Sequence, residues 1–272
     1  MISKMKKEIG TDEFKKISLD ILLAVHEFCQ RNNIKYSLAC GTLIGAIRHK
    51  GFIPWDDDID IYMVREDYER FVSLFPQLYK SRYSILAFSN EPSWNVPYAK
   101  VYDSRTLYYE EKKYDFEGIG ISIDVFPIDN APDDLNTWIK YERRRVLLKN
   151  LYVMKELKWR KNRPLIKNLF VEFCSLLLYP FSKKSLALML DRYAKKYNSI
   201  ETNYYTESCL GVPNGRFLKK DFETTNDCLF DNYTFKVMAG YDDYLHQFFG
   251  NYMDLPPLEK RISHHRYTAY WK

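Results

Sequence analysis

Apolar residues recur at three- and four-residue spacing from Asp12 to Arg31. Ile17, Ile21, Val25 and Phe28 form one stripe, and Asn32-Asn33 ends it. That period predicts an amphipathic helix with one buried face. Tyr36–Cys40 then predicts a short strand, and Gly41-Thr42 opens a short helix through Ile47. Gly51–Trp55, with Pro54, reads as a loop. Asp58–Met63 predicts a second strand and Glu66–Phe75 a helix; Tyr83–Phe88, Val96–Tyr102 and Ile121–Pro127 predict three more strands. Beyond Pro132 the period changes, and 133–159, 164–179 and 183–198 predict three successive helices. From about Cys209 the pattern is mixed, with a hairpin turn expected at Asp231-Asn232 and a helix over Tyr241–Phe249. No internal repeat is visible. The expected class is α+β, a mixed sheet flanked by helices. Three parts are expected: a catalytic core over 1–132, a helical insert over 133–200, and a segment over 201–272 that packs back on the core.

Composition narrows the class. With 46% apolar residues, the 272-residue chain has enough material for a proper core. Tyrosine is abundant, with 23 copies, so most tyrosine clusters are expected to be packing. Five cysteines without a C-x-x-C pair exclude a disulfide framework and a zinc ribbon, and fit a reducing cytoplasm. The N-terminus carries no run of signal-peptide length. The most apolar stretch, Leu165–Phe181, is interrupted by Lys167, Asn168 and Glu172, too short and too polar to span a bilayer.

Charge changes the picture of the insert. The chain carries +5 overall, yet residues 137–196 hold sixteen Lys/Arg against four Asp/Glu, a net +12 that leaves −7 elsewhere. Such asymmetry points to an anionic partner, either a polyanionic acceptor or anionic lipid met peripherally at the inner face of the membrane; well-solvated helices are the plainer explanation. Nucleic acid is not expected, because no nucleic-acid-binding motif accompanies the basic segment.

The densest chemistry lies in Trp55-Asp56-Asp57-Asp58-Ile59-Asp60-Ile61-Tyr62-Met63. On a strand, alternation puts Asp58 and Asp60 on one face, joined by Asp56 if the strand starts early, with Ile59, Ile61 and Met63 facing a core. Neighbouring acids on that face lie about 7 Å apart. Clustered carboxylates repel one another, and a bound Mg²⁺ or Mn²⁺ relieves that repulsion with hard oxygen ligands. A calcium loop fails as an alternative, since its sixth and twelfth positions here are Ile61 and Asp67 instead of Gly and Glu. Asp124 is the one acid of the apolar run Gly120–Pro127 and is costly there unless paired or ligating. On a neighbouring strand it would face the other two, ligate metal and accept a proton from an attacking hydroxyl. A capped structural Asp is the bland alternative. Gly41-Thr42, between strand and helix, lets backbone N–H groups approach a phosphate, and Arg48, His49 and Lys50 follow within reach of its oxygens.

The run Gly41-Thr42-Leu43-Ile44-Gly45-Ala46-Ile47-Arg48-His49-Lys50-Gly51-Phe52-Ile53-Pro54-Trp55-Asp56-Asp57-Asp58-Ile59-Asp60 closely resembles the signature of the LicD family, which groups with fukutin-type proteins in the nucleotidyltransferase-fold superfamily. The resemblance extends to Lys100, to Asp124–Asp129, and to the tail over Gly250–Met253, Pro256–Arg261 and His264-His265. It is sharp over 10–130 and 240–265 and loose in the basic middle. It implies a nucleotidyltransferase-like core and a metal-dependent transferase that moves phosphocholine from CDP-choline onto a hydroxyl of teichoic acid or lipopolysaccharide, releasing CMP. Fukutin-type relatives use CDP-ribitol, so another CDP-alcohol is the nearest alternative; nucleotidyl transfer from a triphosphate and a non-catalytic nucleotide- or lipid-binding module are the more distant ones. Asp58, Asp60, Asp56 and Asp124 are the expected metal ligands. Asp124 is also the expected base. Gly41, Thr42, Arg48, Lys100, Arg261 and His265, or His264, are expected to contact donor and phosphate. A choline group would need aromatic faces, for which Trp94, Tyr98, Tyr102, Tyr108 and Tyr109 are candidates.

Overall fold

The structure is a computed structural model that describes residues 7–78, 82–110, 116, 118–157, 163–207, 209, 215–262 and 267–272. In chain order its elements are α1 (Thr11–Arg31), β1 (Ser37–Leu38), α2 (Cys40–Ile44) continuing into a π-helical turn (Gly45–His49), β2 (Asp60–Val64), α3 (Arg65–Leu78), β3 (Tyr83–Leu86), β4 (Ala99–Asp103), β5 (Thr106–Glu110) and β6 (Ser122–Ala131). The insert follows as α4 (Leu135–Glu156), α5 (Leu165–Leu177) and α6 (Lys183–Ala194). The last part holds β7 (Tyr204–Thr206), β8 (Arg216–Leu218), α7 (Lys219–Glu223), β9 (Thr225–Phe230), β10 (Tyr233–Met238), α8 (Tyr241–Phe249) and β11 (Tyr267–Trp271). The class is α+β, as the periodicity predicts.

The main sheet runs β1-β2-β6-β4-β3, and β6 is its long spine. β2 lies parallel to β6, while β4 pairs antiparallel with the first half of β6 and β7 with its end. The strand expected to stop at Pro127 therefore runs on to Ala131. Asp124 donates its amide to Ile59 on the β2 side, so by alternation residue 127 addresses the other edge. That edge is unpaired between the β4 partners, which end at Val125, and the β7 partners, which begin at Asp129. The proline's missing donor costs no ladder bond there.

The stripe of α1 performs as its spacing implies: Ile21, Leu22 and Val25 are fully buried. Each such side chain contributes about 1.5–3 kcal/mol of burial. Phe28 packs edge-on against Phe71 and Phe75 of α3, so both helices cover one face of the sheet. The opposite face carries the acids. The C-terminal hairpin β9–β10 turns at Asp231-Asn232, both at positive φ (45° and 65°), the primed turn that suits a two-residue hairpin. It braces the core, with the Met238 amide donating to Ser37 Oγ at 2.8 Å and the Asp231 amide to the Lys50 carbonyl at 2.8 Å. Two expectations shift. The ladder of β2 begins at Asp60, opposite Asp124 of β6, so Asp58 precedes it. The pairing of β5 with β11, far apart in the chain, has no counterpart in the periodicity reading.

Candidate active site

Register assembles the site. Asp60 on β2 stands opposite Asp124 on β6, and Asp124 stands opposite Lys100 on β4. The three side chains therefore share one sheet face across three adjacent strands. The Lys100 ammonium donates to the Asp124 carboxylate. Asp58, ahead of the ladder, keeps the alternation: Asp56, Asp58 and Asp60 are half-buried while Asp57 and Ile59 are buried. Asp57 turns away to accept the Tyr267 hydroxyl.

The turn before β2 fixes the acids from behind. Cys40 sits at φ 48°, a conformation unusual for a side-chain-bearing residue, where β1 bends into α2. Gly41 follows and leaves room for an acid: a Cβ there would lie 2.7 Å from Asp56 Oδ2 and would push that carboxylate aside. Buried Thr42 accepts the Asp60 amide on Oγ1 at 2.9 Å, and Asp60 returns its carbonyl to the Ala39 amide at 3.0 Å. Strand, turn and acid are thus one hydrogen-bonded unit.

Electrostatically the cluster is acid in excess. Burial pushes the Asp60 carboxyl well above its ordinary range, and Asp58, Asp124 and Asp56 push it further, against the opposing charge of Lys100. The Tyr98 phenol, hydrogen-bonded to Asp124, is pushed up by burial and then by Asp124, Tyr152 and Asp60. Among the described residues no three metal-ligating side chains are already gathered into a cage. The donor set nevertheless fits a hard divalent cation in its chemistry, since four carboxylates stand on a half-buried face.

A cationic patch borders the acids. Arg261 stacks over Trp55 at 5.6 Å, and His49 meets the same ring edge-on at 6.2 Å. Arg48 donates to the carbonyls of Tyr252 and Asp254, and its guanidinium pKa is lowered by burial and by Arg261. Burial and then Arg48 lower His49, which leaves its imidazole neutral. Arg48 therefore ties down the tail that presents Arg261. His264 and His265 lie outside the described residues.

The expected aromatic cage does not form as a group. Trp94 is buried in a side cluster against Phe116 and donates its indole N–H to the Tyr98 carbonyl. Tyr108 packs on Phe14 and Tyr267, and Tyr109 meets Tyr270. Tyr102 leans on the Trp94 cluster. Tyr98 alone of the five is linked to the acids. Composition reading missed Tyr62, which hydrogen-bonds Tyr244 at 3.1 Å and meets Cys40 Sγ at 3.4 Å. Its signal was present, since Tyr62 shares the alternation of Asp58 and Asp60.

The family profile described as LicD/FKTN/FKRP, nucleotidyltransferase domain, matches residues 33–161, a span that contains the acid cluster, Lys100 and Asp124. The lipopolysaccharide cholinephosphotransferase LicD of Haemophilus influenzae is 32% identical over 269 residues, covering 97% of this chain and 99% of that protein. The chain belongs to the LicD family. An uncharacterized protein of Rickettsia typhi is 32% identical over 157 residues, covering 50% of this chain and 51% of its own. One of Rickettsia prowazekii is 35% identical over 106 residues, 39% of each. The expected reading of the chain as a LicD-family transferase stands. The match over 97% of the chain carries the family through the insert, where the sequence resemblance is loosest, and on into the tail.

Proposed function

We propose that this LicD-family transferase moves a phospho-alcohol, phosphocholine from CDP-choline, onto a sugar hydroxyl of a cell-surface glycan such as lipopolysaccharide or teichoic acid, with release of CMP. The observation that carries this reading is the register Asp60–Asp124–Lys100 on one sheet face. The near-complete match to a lipopolysaccharide cholinephosphotransferase supports the substrate class. The acceptor oxygen attacks the phosphorus bearing the alcohol, the bond to the bridging oxygen of the diphosphate breaks, and CMP leaves with that electron pair. Asp124 takes the hydroxyl proton and is held in place by Lys100 and Tyr98. Lys100 and Arg261 contact phosphate oxygens, and Trp55 fixes the plane of the Arg261 guanidinium. Asp58, Asp60, Asp56 and Asp124 would hold a Mg²⁺ or Mn²⁺ ion, which when bound neutralises diphosphate charge. The residues' own contribution is mainly placement of hydroxyl and phosphorus, with charge preorganised around them.

The test is CMP release from CDP-choline, CDP-ribitol and CDP-glycerol in the presence of Mg²⁺ and a glycan acceptor, beside Asp60→Asn. Turnover of CDP-choline that falls by on the order of 10³-fold in the variant is expected, the scale of losing a group that handles transition-state charge. Turnover of CDP-ribitol or CDP-glycerol alone would keep the site and replace the donor. No CMP from any of the three would overturn the reading.

A further inference from the structure

We infer that α5 is a lipid-docking helix whose outer face beds into the headgroup boundary of an anionic bilayer. Large apolar side chains cover that face. Ile166 is 76% exposed, Leu176 71%, Phe170 61%, Leu177 60% and Phe173 57%. With Leu165 and Leu169, also exposed, they span an arc of about 140° at about 100° per residue. Tyr179 and Phe181 extend the exposed apolar surface past the helix end.

This stripe is not a core face awaiting its own fold, because α5 is already docked by its other side. Asn168, Val171 and Cys174 are buried. Lys155 of α4 donates to the Leu178 carbonyl at 2.9 Å, closing the C-terminal end. No helix of the described residues is long and apolar enough to cross a membrane. Thirteen residues rise only about 20 Å, so such a helix lies on a bilayer rather than through it.

Charge selects the occupant. Lys167 is exposed on α5, as are Arg143 and Arg144 on α4 and Arg192 on α6, in a segment of net charge +12. Glu172 is the one acid of α5. A second copy meeting this face would bring two such segments together against their repulsion, whereas an anionic leaflet attracts them. Apolar insertion and basic attraction together make the pair of signals that stable peripheral binding needs. Tyr152 on α4 is close enough to Tyr98 to oppose its ionisation, so a docked insert would hold the acid cluster near the bilayer.

Co-sedimentation of the full chain with lipid vesicles tests the inference without donor or turnover, so its failure is separate from failure of the proposed reaction. Wild type is expected to sediment with phosphatidylcholine vesicles containing phosphatidylglycerol and at least about tenfold less with phosphatidylcholine alone. The variant Ile166→Ser/Phe170→Ser/Phe173→Ser/Leu177→Ser is expected to lose at least about tenfold in binding with an unchanged melting temperature, because these side chains are solvent-facing. If that variant does not fold, Phe170→Ser/Phe173→Ser serves in its place. Equal sedimentation of variant and wild type would overturn the inference. So would the absence of wild-type binding, or a wild-type dimer in sedimentation velocity that the variant dissolves while lipid binding is unaffected.

Discussion

The two ends of the β2–β6 strand pair both bury charge, and they treat it in opposite ways. At the far end Arg65 forks onto Asp129 through Nε and Nη2 at 2.8 and 2.6 Å and reaches Asp191 of α6 at 2.9 Å. Asn198 donates to the same Asp129 at 2.6 Å, and Lys195 pairs Asp191 at 3.1 Å. Every carboxylate there has its counter-charge, and the network clamps the insert to the sheet. At the near end Asp58, Asp124 and Asp56 crowd Asp60 against the pull of Lys100, which pairs Asp124. Balanced charge marks a structural clamp. Repelling carboxylates on the same strands mark the place that suits an added cation.

Breaking the clamp gives the largest expected effect on the protein itself. Arg65→Met leaves the Asp129 side chain, which has no solvent exposure, without its partner. Removing one member of a buried pair costs about 3–5 kcal/mol. Urea unfolding should show a midpoint lowered to match, and Arg65→Met/Asp129→Leu should recover part of it. A drop below about 1 kcal/mol would mean that the clamp is not what joins insert to sheet.

The acid end predicts the reverse. Asp60 has a folded pKa raised above its ordinary value of 3.8 by burial and by its neighbouring acids. The native state then holds a proton that the unfolded state releases. Its contribution to stability is complete below 3.8 and is lost as pH rises through the raised value. Asp60→Asn removes that loss. In chelator the variant should gain on wild type as pH climbs, in thermal melts run as matched pairs, while added Mg²⁺ should stabilise wild type more than the variant. Parallel pH curves for the two proteins would contradict a repulsive acid cluster.

The sequence reading was strong where the cause is local and weak where it is not. The α1 stripe, the Asp231-Asn232 turn and the Asp-x-Asp alternation each depend on residues within a few positions of one another, and each is legible in one window. Pairing of β5 with β11 joins residues about 160 apart, and nothing near Thr106 announces Tyr267–Trp271 as its partner. The start of β2 is likewise marked by its pairing with β6, some sixty residues on. Asp129 read only as part of a family motif, because its role as clamp depends on Arg65 and on α6, some sixty residues away in either direction. The gathering of Trp94, Tyr102 and Tyr108 on a side cluster has the same origin, since chain proximity of aromatics does not specify what each one packs against.

The smallest effect tests how the acid end is held. Thr42 spends its hydroxyl on the Asp60 amide at 2.9 Å while being only 4% exposed. Thr42→Val keeps the shape and leaves that amide without an acceptor, at a cost of about 1–3 kcal/mol. Thr42→Ser keeps the acceptor and should cost less. Because the amide belongs to the residue that carries the acid, the valine variant should also lower turnover more than it raises KM, a split that loss of packing alone would not produce. Combining it with Asp60→Asn decides the point. If Thr42 acts by positioning that carboxylate, its effect on turnover should vanish once the carboxylate is gone; if the two losses simply multiply, Thr42 serves the fold and not the site.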